Sequence, residues 1–117
     1  MQRLIRATRN TWNGLLFCAR SEQAFRQELV VLILALPLAC FVATSLWRWA
    51  TLIGVLFLVL VVELLNTGLE KLADHVTRDA HPAIGRIKDM GSAAVGLAIV
   101  IASLVWLAAL AERFGLL

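Results

Sequence analysis

Three long apolar segments constrain the fold of this chain more than any other feature of its sequence. They are residues 29–46, 50–66 and 90–111, and they are almost free of charged side chains. A helix needs about 20 mainly apolar residues to cross the ~30 Å hydrocarbon core of a bilayer. Because backbone groups inside a bilayer cannot bond to water, such segments must be helical. The sequence therefore predicts an all-α membrane protein with three transmembrane helices.

The composition agrees with this prediction. The chain is 61% hydrophobic and 16% charged, with a mean hydropathy of +0.84, whereas soluble domains are about 45–50% apolar. Its 117 residues suit one domain, so we expect residues 1–117 to form a single membrane domain. The basic residues are scattered and lack an aromatic-rich basic surface. We therefore expect no nucleic-acid partner, despite the net charge of +3.

The segments between the apolar runs predict the rest of the architecture. Residues 1–28 have an amphipathic pattern that indicates a surface helix lying in the membrane interface. The sequence Trp47-Arg48-Trp49 predicts a short interfacial turn, because tryptophan gathers at headgroup level. The second span is expected to continue as a helix to about Val76. Residues 77–89 contain Pro, Gly and several charges, which predicts a loop.

The distribution of basic residues predicts the orientation. Nine of the eleven lie before the first span or around the second loop, and only Arg48 and Arg113 lie on the other side. Cytoplasmic segments carry the excess of Lys and Arg. We therefore expect the N-terminus and the second loop in the cytoplasm and the C-terminus outside.

A stripe of polar side chains interrupts the end of the second span. Glu63, Asn66, Glu70 and Asp74 fall at about 0°, 300°, 340° and 20° around a helix, so all four share one face. A charged acid within a span costs roughly 2.5–3.5 kcal/mol. Three neighbouring carboxylates also repel one another, so the stripe predicts a divalent metal or a basic partner. The alternative is a solvated helix end whose acids pair with Lys71 or Arg78.

Two further polar segments flank the spans. "SEQAFRQE" precedes the first span, and "GRIKDMGSAAVG" begins the third. Lys88 is a candidate phosphate ligand, and its alternative is a plain juxtamembrane anchor. Glu22 and Arg26 could alternatively form an ion pair at i,i+4 spacing. Gly91 and Gly96 permit close helix approach. The sequence has no GxxxxGK[ST] or GxGxxG motif, so a nucleotide would bind without a soluble nucleotide-binding fold.

The segments "FRQE", "VELLNTGLEKLAD" and "GRIKDMGSAAV" resemble the signature segments of the prokaryotic-type diacylglycerol kinases. The resemblance covers the chain from about Arg3 to Phe114. It implies a homotrimeric bundle in the bacterial inner membrane, with active sites between neighbouring subunits. It also implies transfer of the γ-phosphoryl group of ATP, with Mg²⁺ as cofactor, to diacylglycerol, giving phosphatidic acid.

Matching positions carry the family's site residues onto this chain. Glu63 resembles the general base that takes the proton of the lipid hydroxyl. Glu22 and Glu70 resemble the metal-binding carboxylates. The nucleotide contacts would be Arg3, Asn10, Glu22, Glu70, Asp79, Ala80, His81, Lys88 and Asp89. The lipid-lining positions would be Ala24, Arg26, Gln27, Glu28, Trp49, Glu63, Ser92 and Trp106, with Asn66 and Asp74 as supporting polar residues. The chain departs from the family at Asn10, where an aromatic residue is expected, and at Thr67-Gly68-Leu69, where Ser/Thr-Ala-Ile is more usual.

Three alternatives to a diacylglycerol kinase stay open at this point. An undecaprenol kinase shares the architecture and differs only in the lipid acceptor. A small proton-coupled transporter would use Glu63 as its proton site, although transporters of this size usually have four spans. A purely structural membrane subunit would have no need of the acidic stripe.

Overall fold

The computed structural model describes residues 1–116, and this part of the chain forms four consecutive α-helices. They are α1 (Gln2–Ser21), α2 (Gln23–Val42), α3 (Leu46–Val76) and α4 (Pro82–Arg113). Helices α2, α3 and α4 are each long and apolar enough to cross a membrane. The prediction of an all-α protein with three membrane helices is confirmed. Leu117, the last residue of the expected single domain, lies outside the described residues.

Local side-chain bonds explain where the helices begin and end. At Glu22 the backbone is extended, and the Arg26 guanidinium donates to the carbonyls of Ala19 and Arg20, both at 2.9 Å. These bonds satisfy carbonyls that a helix end leaves free. Ser45 caps α3 by accepting the backbone N–H of Arg48 at 3.2 Å.

The caps also correct two predicted boundaries. The predicted turn at Trp47-Arg48-Trp49 is wrong, because residues 43–45 form the turn and the two tryptophans belong to the first turns of α3. The predicted loop at 77–89 is too long, since α4 already begins at Pro82. Pro82 starts this helix because a first-turn proline lacks only an N–H that would be unpaired anyway. The expected continuation of the second helix to Val76 is confirmed.

Helix α1 is shorter than the predicted surface segment. It ends at Ser21, and residues 23–28 of that segment form the first turns of α2. At the other end, α2 stops at Val42, before the predicted end of the first span at residue 46. The polar side chains of residues 22–28 therefore stand at the start of a membrane helix.

Helix α3 is the central element of the bundle and packs against α4 and α2. Small side chains allow the helices to approach closely. The larger buried cluster consists of Cys18, Phe25, Leu32, Ala35, Ala39, Val42, Leu52, Ile53 and Leu60. A second cluster joins α3 to α4 through Val59, Ala98 and Ala102. Helix α1 reaches this core only near its end, where Cys18 is 3% exposed. The core thus fixes the first half of α3, up to the position of Glu63, against both neighbours.

Large apolar side chains cover the outer faces of α2 and α4. Ile33, Leu97 and Leu104 are all exposed. An apolar exterior of this kind suits contact with lipid tails, since no water has to be excluded from it. The chain is therefore a multi-pass membrane protein.

Candidate active site

Three carboxylates from two regions of the chain form an acidic cluster, which we define as Glu22, Glu63 and Glu70. Glu22 lies at the break between α1 and α2, and Glu70 lies two helical turns after Glu63 on α3. The carboxylates of Glu70 and Glu22 are close enough to act electrostatically on Glu63. The structure therefore brings together the predicted base and the two predicted metal ligands.

Glu63 is the member of the cluster that is enclosed by protein. It is 6% exposed and is the only charged side chain in the buried set of residues 1–116. Charged side chains are seldom buried unless a partner compensates them. Glu22 and Glu70 are each only partly buried. The cluster thus contains one enclosed carboxylate, that of Glu63, and two that are more accessible to solvent.

The two accessible carboxylates have partners. Lys71 Nζ lies 3.3 Å from Glu22 Oε1, and Asn66 Nδ2 donates to Glu70 Oε1 at 3.3 Å. Within the described part of the chain, Glu63 is not among the hydrogen-bonded or ion-paired side chains. An enclosed carboxylate without a fixed donor keeps its lone pairs available to a ligand.

Close packing of α3 against α4 fixes the position of the Asn66 side chain. A Cβ atom at the buried Gly91 would overlap the Oδ1 atom of Asn66 and would stand 3.3 Å from a methyl group of Leu69. The expected close approach is therefore confirmed at Gly91. It is wrong at Gly96, where nothing lies within 4 Å of an added Cβ. The absence of a side chain at position 91 lets the Asn66 amide lie beside Glu70.

An ion pair joins the predicted nucleotide segment to α3. Lys88 Nζ lies 2.5 Å from Asp74 Oδ1. The alternative, in which acids of the stripe pair with Lys71 or Arg78, does not match the ion pairs of the described residues. Asp74 pairs with Lys88, and Lys71 pairs with Glu22, which lies outside the stripe. The alternative expectation of an ion pair between Glu22 and Arg26 is wrong. The Arg26 guanidinium instead donates to carbonyls at the end of α1. Lys88 is consequently held near the end of the stripe.

An apolar groove of about 500 Å³ lies between α2, α3 and α4. Its walls include Val31, Leu34, Leu38, Leu56, Ile99 and Ala102. Glu28 is the one charged residue that lines it, and the Glu63 carboxylate is close enough to act on it electrostatically. Trp106 lies in the same groove, with its indole N–H donating to the Leu52 carbonyl at 3.1 Å. The groove thus leads from the middle of the bundle toward the acidic cluster.

The other predicted site residues are distributed unevenly around this centre. Of the predicted lipid positions, Glu28 and Trp106 line the groove, and the lining set does not include Ala24, Arg26, Gln27, Trp49, Glu63 or Ser92. Asp79, Ala80 and His81 form the exposed connection between α3 and α4, and Asp89 is exposed on the first turns of α4. Arg3 and Asn10 are exposed on the first half of α1, well before the part of that helix that reaches the core.

The acidic cluster has donors that suit a hard cation. Within residues 1–116, no three His, Cys, Asp or Glu side chains are grouped closely enough to hold a metal ion by themselves. Magnesium in kinase sites usually takes one or two carboxylates and completes its shell with water and phosphate oxygens. The partly accessible carboxylates of Glu22 and Glu70 fit that requirement.

The fold and the site together define a small multi-pass membrane enzyme, with an acidic cluster at the end of an apolar groove. Comparison with known proteins agrees, because the family model for prokaryotic diacylglycerol kinase matches residues 9–110. The chain belongs to this family, and it is a kinase. The transporter and structural-subunit alternatives are thereby set aside.

Several bacterial relatives resemble the chain over nearly its full length. The diacylglycerol kinase of Escherichia coli K12 is 40% identical over 113 residues, which cover 97% of this chain and 93% of the relative. The diacylglycerol kinase of Pseudomonas aeruginosa is 36% identical over 106 residues, covering 91% and 86%. That of Haemophilus influenzae is 34% identical over 103 residues, covering 88% and 87%.

Proposed function

We propose that this chain transfers the γ-phosphoryl group of ATP to the hydroxyl group of diacylglycerol, producing phosphatidic acid at the cytoplasmic face of the bacterial inner membrane. The observation that carries the proposal is the position of Glu63. It is an enclosed carboxylate between an apolar groove, which suits a lipid, and two accessible carboxylates, which suit a metal-bound nucleotide.

Glu63 would act as the general base. A base must come within hydrogen-bond reach of the proton that it takes. The Glu63 carboxylate has no fixed partner in the described residues and lies near the charged end of the groove. A diacylglycerol whose chains occupy the groove would present its hydroxyl group toward that end. Glu63 would then accept the hydroxyl proton as the hydroxyl oxygen attacks the γ-phosphorus of ATP, and ADP would leave as the bond from that phosphorus to the bridging oxygen breaks.

Glu22 and Glu70 would hold Mg²⁺, and Lys88 would contact the phosphates. Phosphoryl transfer depends mainly on positioning and on balancing negative charge. When bound, Mg²⁺ supplies the positive charge that binds the phosphate oxygens. In this chain Asn66 fixes the orientation of Glu70 through its amide, and Asp74 fixes Lys88 at the edge of the site.

We further propose that the protein works as a homotrimer with active sites between subunits. Arg3 and Asn10 are exposed on the part of α1 that does not reach the core of its own chain. In a trimer, these residues of one copy can approach the acidic cluster of another. The exposed connection with Asp79, Ala80 and His81 would add nucleotide contacts at the same face.

A phosphorylation assay tests the proposed reaction. The purified protein would be supplied with ATP, Mg²⁺ and either diacylglycerol or undecaprenol in mixed micelles. We expect phosphatidic acid to form at least tenfold faster than undecaprenyl phosphate. A preference for undecaprenol would mean that undecaprenol is the lipid acceptor, while the proposed active-site residues would stay the same. Failure to phosphorylate either lipid would refute the proposed reaction.

The proposed orientation has its own test. A reporter fused after residue 117 should report a periplasmic location, and one inserted near Ala80 should report a cytosolic one, because nine of the eleven basic residues lie on the predicted inner side. A cytosolic C-terminus would contradict the count of three spans or the direction in which they cross.

A further inference from the structure

Lys71 occupies a position in the acidic cluster that the proposed reaction does not use. Its ammonium lies 3.3 Å from the Glu22 carboxylate and 5.3 Å from the centre of the Phe17 ring. Lys71 follows Glu70 directly on α3, whereas Phe17 and Glu22 come from the end of α1 and the break after it. The lysine therefore bridges the surface helix and the central membrane helix beside the proposed metal ligands.

The charges around Lys71 explain why a cation is needed there. The carboxylates of Glu22 and Glu70 both act electrostatically on Glu63, and like charges at short distance destabilise the ionised forms. Lys71 is the cation that pairs with a member of this cluster in the described residues. The pair is partly exposed, with 44% of the Lys71 side chain and 27% of the Glu22 side chain accessible. Such a pair is weak enough to be opened by a competing ion.

The same Glu22 carboxylate is one of the two proposed ligands for a divalent cation. A carboxylate oxygen that lies 3.3 Å from an ammonium nitrogen is shielded from a metal on that side. We propose that Lys71 is the counter-cation of the acidic cluster, which holds Glu22 in the metal-free protein and is displaced from it when a divalent cation binds. The proposal rests on the assignment of Glu22 as a metal ligand in the proposed function.

This role makes a prediction opposite to that of a purely structural ion pair. If Lys71 competes with the metal, its removal should strengthen metal binding. If Lys71 only fixes the position of Glu22, its removal should leave metal binding unchanged or weaken it, because the ligand becomes less ordered. The phosphoryl-transfer rate alone could not separate these effects, so the metal has to be observed directly.

The test is a Mn²⁺ titration of the purified full-length protein in detergent micelles, followed by electron paramagnetic resonance without ATP or lipid. Mn²⁺ prefers the same oxygen ligands as Mg²⁺. The variant Lys71→Met keeps the apolar stem next to Phe17 and removes the charge, and it should bind Mn²⁺ about 3- to 10-fold more tightly than the parent. The variant Lys71→Arg keeps the charge and should bind Mn²⁺ like the parent.

A matched control comes from the opposite end of the helix bundle. Arg113 also places its cation over an aromatic ring, 5.0 Å from the centre of Phe41, but it lies at the end of α4, away from the acidic cluster. Arg113→Met removes the same unit of charge, so it should leave Mn²⁺ affinity unchanged. Equal gains in affinity for Lys71→Met and Arg113→Met would show only a general charge effect and would overturn the proposal.

A second pair of variants shows whether Lys71 acts through Glu22. Glu22→Gln should weaken Mn²⁺ binding, and adding Lys71→Met to it should then change nothing further. Unchanged or weaker Mn²⁺ binding in Lys71→Met alone would overturn the proposal. Because these titrations contain no lipid and no ATP, they can succeed even if the proposed reaction fails. Unchanged binding in Glu22→Gln would instead refute the metal-ligand assignment on which the proposal rests.

Discussion

The two ends of the bundle use the same kinds of side chain in different ways. Away from the acidic cluster, Thr44, Arg48 and Glu112 form a group that we call the clamp. Arg48 donates two bonds to the Glu112 carboxylate, one of them at 2.9 Å, and the Thr44 hydroxyl adds a third at 3.0 Å. The clamp ties the turn between α2 and α3 to the end of α4. Its charges are balanced within the protein.

The acidic cluster is not balanced in this way. Its three carboxylates face one nearby ammonium, that of Lys71. Nearby oxygens of Asn66 and Glu28 are buried without a hydrogen-bond partner in the described residues. Buried polar groups normally have partners, so unpaired ones call for an explanation. The comparison indicates that the charges of the clamp are balanced within the protein, whereas we propose that a ligand completes the acidic cluster.

The largest expected effect separates the two ends directly. Glu63→Gln removes the proposed base and should lower the rate of lipid phosphorylation at least about 10²-fold, while folding and assembly are preserved. The same replacement in the clamp, Glu112→Gln, should leave the rate within about twofold and slightly lower the unfolding temperature. The measurements are the ATP-dependent assay and thermal unfolding in detergent. Near-normal turnover in Glu63→Gln would remove this residue as the base.

A smaller effect divides the roles within the acidic cluster. Glu22→Gln or Glu70→Gln should raise the Mg²⁺ concentration at half-maximal rate about tenfold, because each variant loses a hard oxygen ligand. Glu63→Gln should lower the rate with little change in that concentration. Titrations of Mg²⁺ at fixed ATP would measure this. Equal shifts in all three variants would mean that the cluster acts as one undivided charge.

The smallest effect concerns the packing that supports the site. Gly91→Ala should lower the free energy of unfolding by about 1–3 kcal/mol, because the new methyl group overlaps the Asn66 side chain. Gly96→Ala is the matched control on the same helix, since its added Cβ meets nothing within 4 Å. The double variant Gly91→Ala with Asn66→Ala should recover part of the loss. Equal stability of the two single variants would contradict the close contact.

The fold could be predicted from the sequence because apolar length is a strong signal in a membrane protein. Residues 29–46, 50–66 and 90–111 each correspond to one long helix. The boundaries were less predictable. Their signals are single caps, such as Ser45 before Arg48, and these compete with the preference of tryptophan for interfaces.

The site could be predicted in part. The grouping of Glu63, Glu70 and Asn66 follows from helical spacing alone, since all three lie on one face of α3. The positions of Glu22 and Lys71 do not, because they depend on how α1 ends and packs against α3. Sequence spacing carries no information about such a contact between helices. The clamp was missed for the same reason, since 64 residues separate Arg48 from Glu112.

Because α3 is one uninterrupted helix, it sets a fixed distance between the wall of the groove and the acidic cluster. The helix spans 31 residues from Leu46 to Val76, and a helix advances about 1.5 Å per residue. Val59, the groove-wall residue of α3 nearest to the site, and Glu63 are therefore separated by about 6 Å along the helix axis. For an acceptor held in the groove, that distance sets how far its hydroxyl group must extend beyond the last wall contact to reach the carboxylate.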